Sequence, residues 1–242
     1  MKVLIVTLTG ELPRYYEYYD YIDRLVTPPQ TEKITVHSSS PAKNRNVAIA
    51  GALERGIYSH LFFTDDDHVY MPNTLMRLLS HDKDIVSGMY TMKFSPFPIV
   101  ALNNPNSGEM GQFINMNNHQ PNKLIEVARV PAGCLLVKTS VLKKMQDQLF
   151  GPSWSPKYKN KWFTLGHIQP DEWGDDLWFC DLASEAGYKI HLDTGCPVGH
   201  ITKTVLWPEW NPETKEWQVR FKINEEYSIG HSTKPDGAVA PI

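Results

Sequence analysis

The chain has no hydrophobic run approaching the roughly 20 residues that a membrane-spanning helix needs. Its N-terminal apolar stretch, residues 3–7, is too short for a signal-peptide core and has no small-residue cleavage site behind it. The expectation is a cytoplasmic protein with no membrane span. Cysteine is scarce: Cys134, Cys180 and Cys196 are odd in number and widely spaced, with no C-x-x-C pair to suggest structural zinc or a redox motif. They read as reduced, buried small residues. Basic excess is absent too, with a net charge of −3 over 242 residues, so there is no global footprint of a nucleic-acid binder. Neither a G-x-G-x-x-G after the first apolar run nor a Walker A sequence is present, which argues against a dinucleotide oxidoreductase or a P-loop NTPase. Repeats and low-complexity segments are also missing.

What is there is enough for one substantial domain, or a domain with an extension: 41% of the residues are hydrophobic. Strand-like and helix-like patterns alternate through the first part. Strands are expected at residues 3–7 and 33–37, a helix at 15–25, and a second helix at 44–55 whose Val47, Ala50 and Leu53 keep helical spacing and whose stop is Gly56. The apolar strand that ends in the aspartate run follows, then a helix opened by Pro72 and a strand at 84–89. This order predicts an α/β fold with a mostly parallel central sheet and helices on both faces. Short strand-like runs at 97–102, 113–116, 124–130 and 133–137 suggest antiparallel or mixed pairing, and Thr139 or Ser140 is placed to cap a helix running to residue 145. A long Trp/Pro/Lys-rich loop covers 150–174; loops of that length are usually functional or mobile. A helix at 175–186, a strand at 188–193, a hairpin at 207–221 and a polar tail complete the chain.

The run Leu61-Phe62-Phe63-Thr64-Asp65-Asp66-Asp67 places three consecutive carboxylates at the end of a buried strand. Two like charges about 4 Å apart repel by roughly 4 kcal/mol at an effective dielectric of about 20, so the cluster calls for a cation. In a strand, Asp65 and Asp67 would share a face and Asp66 would point away. Open α/β sheets bind ligands beyond the carboxyl ends of their strands, which is where these residues stand. Turn or helix-capping aspartates are the plainer alternative. An EF-hand is excluded, because Tyr70 and Met76 fall where its loop needs glycine and glutamate.

Three blocks stand in order along the chain. The first is Asn44-Arg45-Asn46 at a helix start, with the helix to Gly56, the aspartate strand and the helix of residues 72–79. The second is Val130-Pro131-Ala132-Gly133-Cys134-Leu135-Leu136-Val137. The third is Trp173-Gly174-Asp175-Asp176-Leu177-Trp178-Phe179-Cys180, followed by Gly187 and Asp193. Together they make the chain resemble the GT-A fold glycosyltransferases, in particular their family 2-like group, over roughly residues 1–201, with residues 202–242 as a C-terminal extension. Asp175 departs from the glutamate usual in that family.

The resemblance implies a metal-dependent transfer of sugar from a nucleotide-sugar donor, UDP-sugar before GDP-sugar, to an acceptor hydroxyl, with inversion favoured. Asp67 would ligate Mn²⁺ or Mg²⁺, and Asp65 would bind the same metal, directly or through water, or the donor ribose. His200, in Gly199-His200-Ile201, falls where such enzymes place a further metal ligand; an ordinary loop histidine is the alternative. Asp176 would be the general base, with Asp175 beside it on acceptor hydroxyls, although both also suit a helix N-terminus. The donor-binding set is Thr7, Thr9, Gly10, Arg45, Asp65 and Asp66, with Asp66 as spacer. Arg45 enters it because a guanidinium at a helix start matches phosphate geometry. Gly133, Trp154, Trp162 and Trp173 are candidates for the acceptor side, the tryptophans as stacking faces or as core and lid packing. His68, next to the cluster, has no role in this reading.

A glycan or small-molecule acceptor is the default. Lys157, Lys159 and Lys161, interleaved with Tyr158 and Trp162, form a local basic-aromatic patch that would suit DNA, as in a modified-base glycosyltransferase. Two other classes compete: a sugar nucleotidyltransferase, whose glycine- and arginine-rich N-terminal loop is not found, and a non-catalytic sugar- or metal-binding module, which would have no use for Asp176.

Overall fold

The computed structural model describes residues 1–10, 15–37, 40–93, 97–103, 112–114, 116–150, 162–163, 174–202, 205–223 and 226–231. In chain order the elements are β1 (Val3–Thr9), α1 (Tyr16–Asp23), β2 (Glu32–His37), α2 (Pro41–Arg55), β3 (His60–Asp65), β4 (His68–Tyr70), α3 (Thr74–Ser80), β5 (Ile85–Met89), β6 (Leu102–Asn103), β7 (Gln112–Phe113), β8 (Leu124–Val127), β9 (Cys134–Lys138), α4 (Thr139–Met145), α5 (Asp175–Glu185), β10 (Ile190–Ile201), β11 (Val205–Asn211), β12 (Glu216–Ile223) and β13 (Glu226–His231).

Strands β1, β3, β5 and β9 are almost continuously apolar and buried, as strands covered on both faces must be. Alternation divides their side chains between two cores. Leu4, Val6, Leu61 and Phe63 pack with Ile49 of α2, Leu142 of α4 and Phe179 of α5. Val3, Ile5 and Phe62 pack on the opposite face with Tyr18 of α1 and Leu75 of α3. The result is a sheet sandwiched between two helical layers.

Among the described residues eleven strands join one sheet, in the order β13-β12-β11-β10-β5-β9-β3-β1-β2, with β4 and β8 also pairing β10; β6 and β7 form a separate pair. The expectation of a mostly parallel sheet needs correction. Parallel pairing links β1 to β2, β1 to β3 and β5 to β10, but β9 slots between β3 and β5 and runs antiparallel to both. The remaining partners of β10, and β11 to β13, are antiparallel as well. The α/β layering therefore holds with a mixed sheet.

Local corrections have local causes. Helix α2 starts at Pro41 because Ser40 caps it, its side chain accepting from the Lys43 amide, and proline is suited to the first helical turn. Gly56 ends it with φ of 63°, as expected. Neither Thr139 nor Ser140 caps α4: Thr139 is its first residue, and its hydroxyl donates to the Tyr58 carbonyl at 2.6 Å. Strand β10 continues well past residue 193 through a register shift between Asp193 and Pro197, and that extension carries Gly199 and His200 to β4. The hairpin expected at 207–221 forms as β11 and β12 and is built onto β10, with Trp217 buried in the main core.

Candidate functional site

Strand β3 stops at Asp65, and Asp66 and Asp67 make the turn into β4. Strand alternation therefore does not extend through the aspartate run, and its three carboxylates diverge. Asp65 faces Arg45, whose Nη2 donates to its Oδ1 at 3.0 Å. Asp66 is buried and accepts from the Thr9 hydroxyl at 2.6 Å, which ties the turn to the end of β1. Asp67 turns to the β4–β10 side, where His68, His200 and Lys93 surround it.

The Asn44-Arg45-Asn46 block reaches three different elements. Asn44 donates to the Val36 carbonyl at 3.1 Å and to that of Thr9 at 3.5 Å, holding the ends of β1 and β2. Arg45, buried beneath the Phe163 ring, joins Asp65 to Asp175 at the start of α5, with Nη1 donating to Asp175 Oδ2 at 2.6 Å. Asn46 donates to the Phe163 carbonyl at 2.6 Å and accepts its amide at 3.0 Å. Arg45 thus pairs with two carboxylates, Asp65 and Asp175. A guanidinium with this much burial needs such pairing.

Asp176 is the second residue of α5 and half-buried; its Oδ1 accepts the Leu177 amide at 2.9 Å. Burial pushes its carboxyl up to about 6; Arg45 opposes the shift, and the negative charges of Asp175 and Asp65 add to it. Helix α5 is anchored a second time by Arg129, whose Nε and Nη2 grip Asp181 at 2.7 and 2.8 Å.

Gly133 stands between the two halves of the site. A Cβ there would meet His68 Cε1 and the Tyr90 hydroxyl at 2.7 Å and Asp65 Oδ2 at 3.1 Å. Its amide donates to the Tyr90 hydroxyl at 2.9 Å, and its carbonyl accepts from Tyr70 at 2.6 Å. Only a residue without a side chain fits this approach.

On the far side, one ligand atom each from Asp67, His68 and His200 lies within 4.8 Å of the others. His200 Nδ1 sits 2.7 Å from the Thr91 carbonyl, an acceptor only, so this nitrogen carries the proton. Its Nε2 then presents a lone pair toward Asp67 Oδ2, 3.8 Å away. Burial depresses the His200 imidazole below its usual value, in keeping with that neutral form. A lone pair facing a carboxylate is favourable only with a cation between them, and Lys93 Nζ already lies 2.5 Å from Asp67 Oδ2. The donor set therefore fits a divalent ion at Asp67 and His200. Asp65, engaged by Arg45, stands apart from this group.

Other expected residues are placed differently. The Thr7 hydroxyl is turned inward, 2.6 Å from that of Tyr18, and Gly10 follows β1 beside the aspartate turn. Trp162 is fully buried and donates to the Leu142 carbonyl at 3.0 Å, which makes it a core residue and not an open stacking face. Trp154, Trp173 and the 157–161 basic stretch lie outside the described residues. A separate groove of about 870 Å³, lined by Tyr21, Trp207 and Trp210 among others, contains none of the site's carboxylates or imidazoles. From sequence alone His68 takes no role, and Lys93 carries no signal. The only signal for His68 was its place directly after the aspartates.

No protein-family model matches the chain, and no curated protein matches it by sequence. Among solved structures it is similar to A197 from STIV, at 15% identity, with 100% of this chain and 99% of that one covered and a TM-score of 0.54. At that identity the likeness establishes a shared fold. S. aureus TarS 1–349 matches at 14% identity over 80% of this chain and 58% of that one, with a TM-score of 0.41, too low to carry an argument. No helix among the described residues is long and apolar enough to cross a membrane.

Proposed function

We propose that the chain is a GT-A-type glycosyltransferase, moving a sugar from a nucleoside-diphosphate donor to an acceptor hydroxyl with Asp176 as general base. The observation that carries this reading is the arrangement on either side of Gly133. Asp67 and His200 are grouped where β4 pairs β10 and would hold a cation, while Asp176, its carboxyl pushed up to about 6, is the second residue of the helix that Arg45 links to Asp65. Inverting transfer needs both functions in one cleft.

Asp67 and His200 would hold Mn²⁺ or Mg²⁺, which when bound neutralises the donor diphosphate and stabilises it as leaving group. Asp176 would take the acceptor proton on Oδ2 while Oδ1 stays on the Leu177 amide, and a value near 6 leaves the carboxylate ionised yet basic at neutral pH. Asp65 and Asp175 would fix the donor and acceptor sides through the shared Arg45. Lys93 would lie beside the diphosphate, having a cationic head already at Asp67.

A thermal-shift screen of UDP-, GDP- and CDP-sugars with and without Mn²⁺ tests the proposal. A sugar nucleotide that raises the melting temperature only with metal present supports it, because a ligand bound to the native state alone adds apparent stability. Absence of any metal-dependent shift across the panel would remove the donor assignment.

A further inference from the structure

The transfer chemistry gives His68 nothing to do, yet its surroundings are unusual. The residue is 2% exposed, and neither ring nitrogen has a hydrogen-bond partner among the described residues. Asp67 Oδ1 lies 2.9 Å from His68 Nδ1 but off the line a hydrogen bond needs, so it too is a buried atom without one. Leaving such atoms unsatisfied costs roughly 1–3 kcal/mol each, and buried polar groups in native interiors are overwhelmingly paired. Three orphans in contact point to a missing partner.

Pairing of β4 with β10 puts them beside a fourth donor. His68 and His200 are directly opposite each other in the antiparallel register, with ring centroids 4.2 Å apart and planes at 15°. Asp65, which the aspartate motif would have supplied, has its Oδ1 paired with Arg45 and is not among the three residues whose ligand atoms cluster.

The geometry points to His68 as a third metal ligand with Asp67 and His200, forming a two-imidazole, one-carboxylate site that selects a transition-metal dication over Mg²⁺. The inference rests on the reading of Asp67 and His200 as a metal pair and adds a ligand and a selectivity to it. Mg²⁺ favours oxygen donors and retains its waters, whereas imidazole nitrogen strengthens binding along the series from Mn²⁺ to Co²⁺. Because a metal lies near the plane of each imidazole that binds it, coordination by both rings opens their present stack.

The test uses the full chain with metal alone and no nucleotide. Pulsed electron paramagnetic resonance of bound Mn²⁺ should show coupling to two imidazole nitrogens in the wild type and to one in His68→Gln. Calorimetry should find Co²⁺ bound at least about tenfold more tightly than Mg²⁺, with His68→Gln lowering Co²⁺ affinity by about 10- to 100-fold and leaving Mg²⁺ affinity nearly unchanged. Coupling to one nitrogen only in the wild type would overturn the role of His68 while the metal pair and the transfer reading stand. No bound dication at all would overturn both the inference and the metal dependence. The wild-type spectrum decides the point even if the variant does not fold.

Discussion

Asp176 is held under two opposing demands. As a base it must be ionised near neutral pH, but the surroundings that raise its carboxyl from 3.8 to about 6 make that ionised form expensive in the folded state. A carboxyl with a raised folded value stabilises the fold below its unfolded value and loses that contribution as pH rises through 6. Asp176→Asn removes the penalty. The variant should be more stable than the wild type at pH 7.5, by as much as about 3 kcal/mol for a shift from 3.8 to 6, and indistinguishable from it near pH 3. Urea titrations at the two pH values measure this directly, and sugar transfer should disappear in the same protein. A variant that is destabilised at pH 7.5 would show that Asp176 is a structural helix-start residue.

Elements were legible in the sequence where one local rule dominates, and opaque where distant partners decide. Buried strands announced themselves as apolar runs, and Gly56 marked the end of α2 through its left-handed φ of 63°. By contrast, nothing local to Arg45 reveals partners 20 and 130 residues away. Strand β4 has only three residues, too few for alternation to register, so nothing in the sequence shows that His68 is buried. The direction of β9 and the long run of β10 past Gly195 and Pro197 likewise depend on pairing. Asp193 shows how such pairing is secured. Fully buried in β10, it accepts from Arg77 Nε and Nη2 at 2.6 and 2.9 Å and from the Gly195 amide at 2.8 Å, with His81 Nε2 2.7 Å away. Burial raises its carboxyl, but Arg77 and His81 outweigh that and leave it below the ordinary value. Its stabilising contribution is therefore present above the unfolded carboxyl value and lost as pH falls through the folded one. Asp193→Asn should cost about 3–5 kcal/mol at pH 7, the usual effect of breaking a buried ion pair, and the difference should shrink toward pH 3. Equal urea midpoints for the two proteins at pH 7 would mean that α3 is not held to β10 by this contact.

At the scale of the whole molecule, the sheet makes β10 the meeting point of the α/β core and the C-terminal hairpin. Its His200 pairs with Leu206 on one side and with His68 on the other, so the strand that presents the metal-capable imidazole is braced by the extension. The brace is also apolar. Leu206, Trp217 and Val219 are buried, and Trp217 sends its indole N–H to the His119 carbonyl at 3.2 Å while its amide donates to Asn117. A chain ending at Ile201 would expose that packing and leave the end of β10 with an unpaired edge, a condition that favours aggregation. Loss of a buried tryptophan alone costs roughly 3–5 kcal/mol. The truncated chain should therefore be insoluble, or lose at least about 3 kcal/mol of stability together with most of its Mn²⁺ affinity, because His200 would lose one of its two strand neighbours. Denaturation and calorimetry on any soluble fraction measure both. If the shortened protein instead kept the full unfolding midpoint and metal affinity, residues 202–242 would be an appended unit, and the site would be built wholly by the first 201 residues.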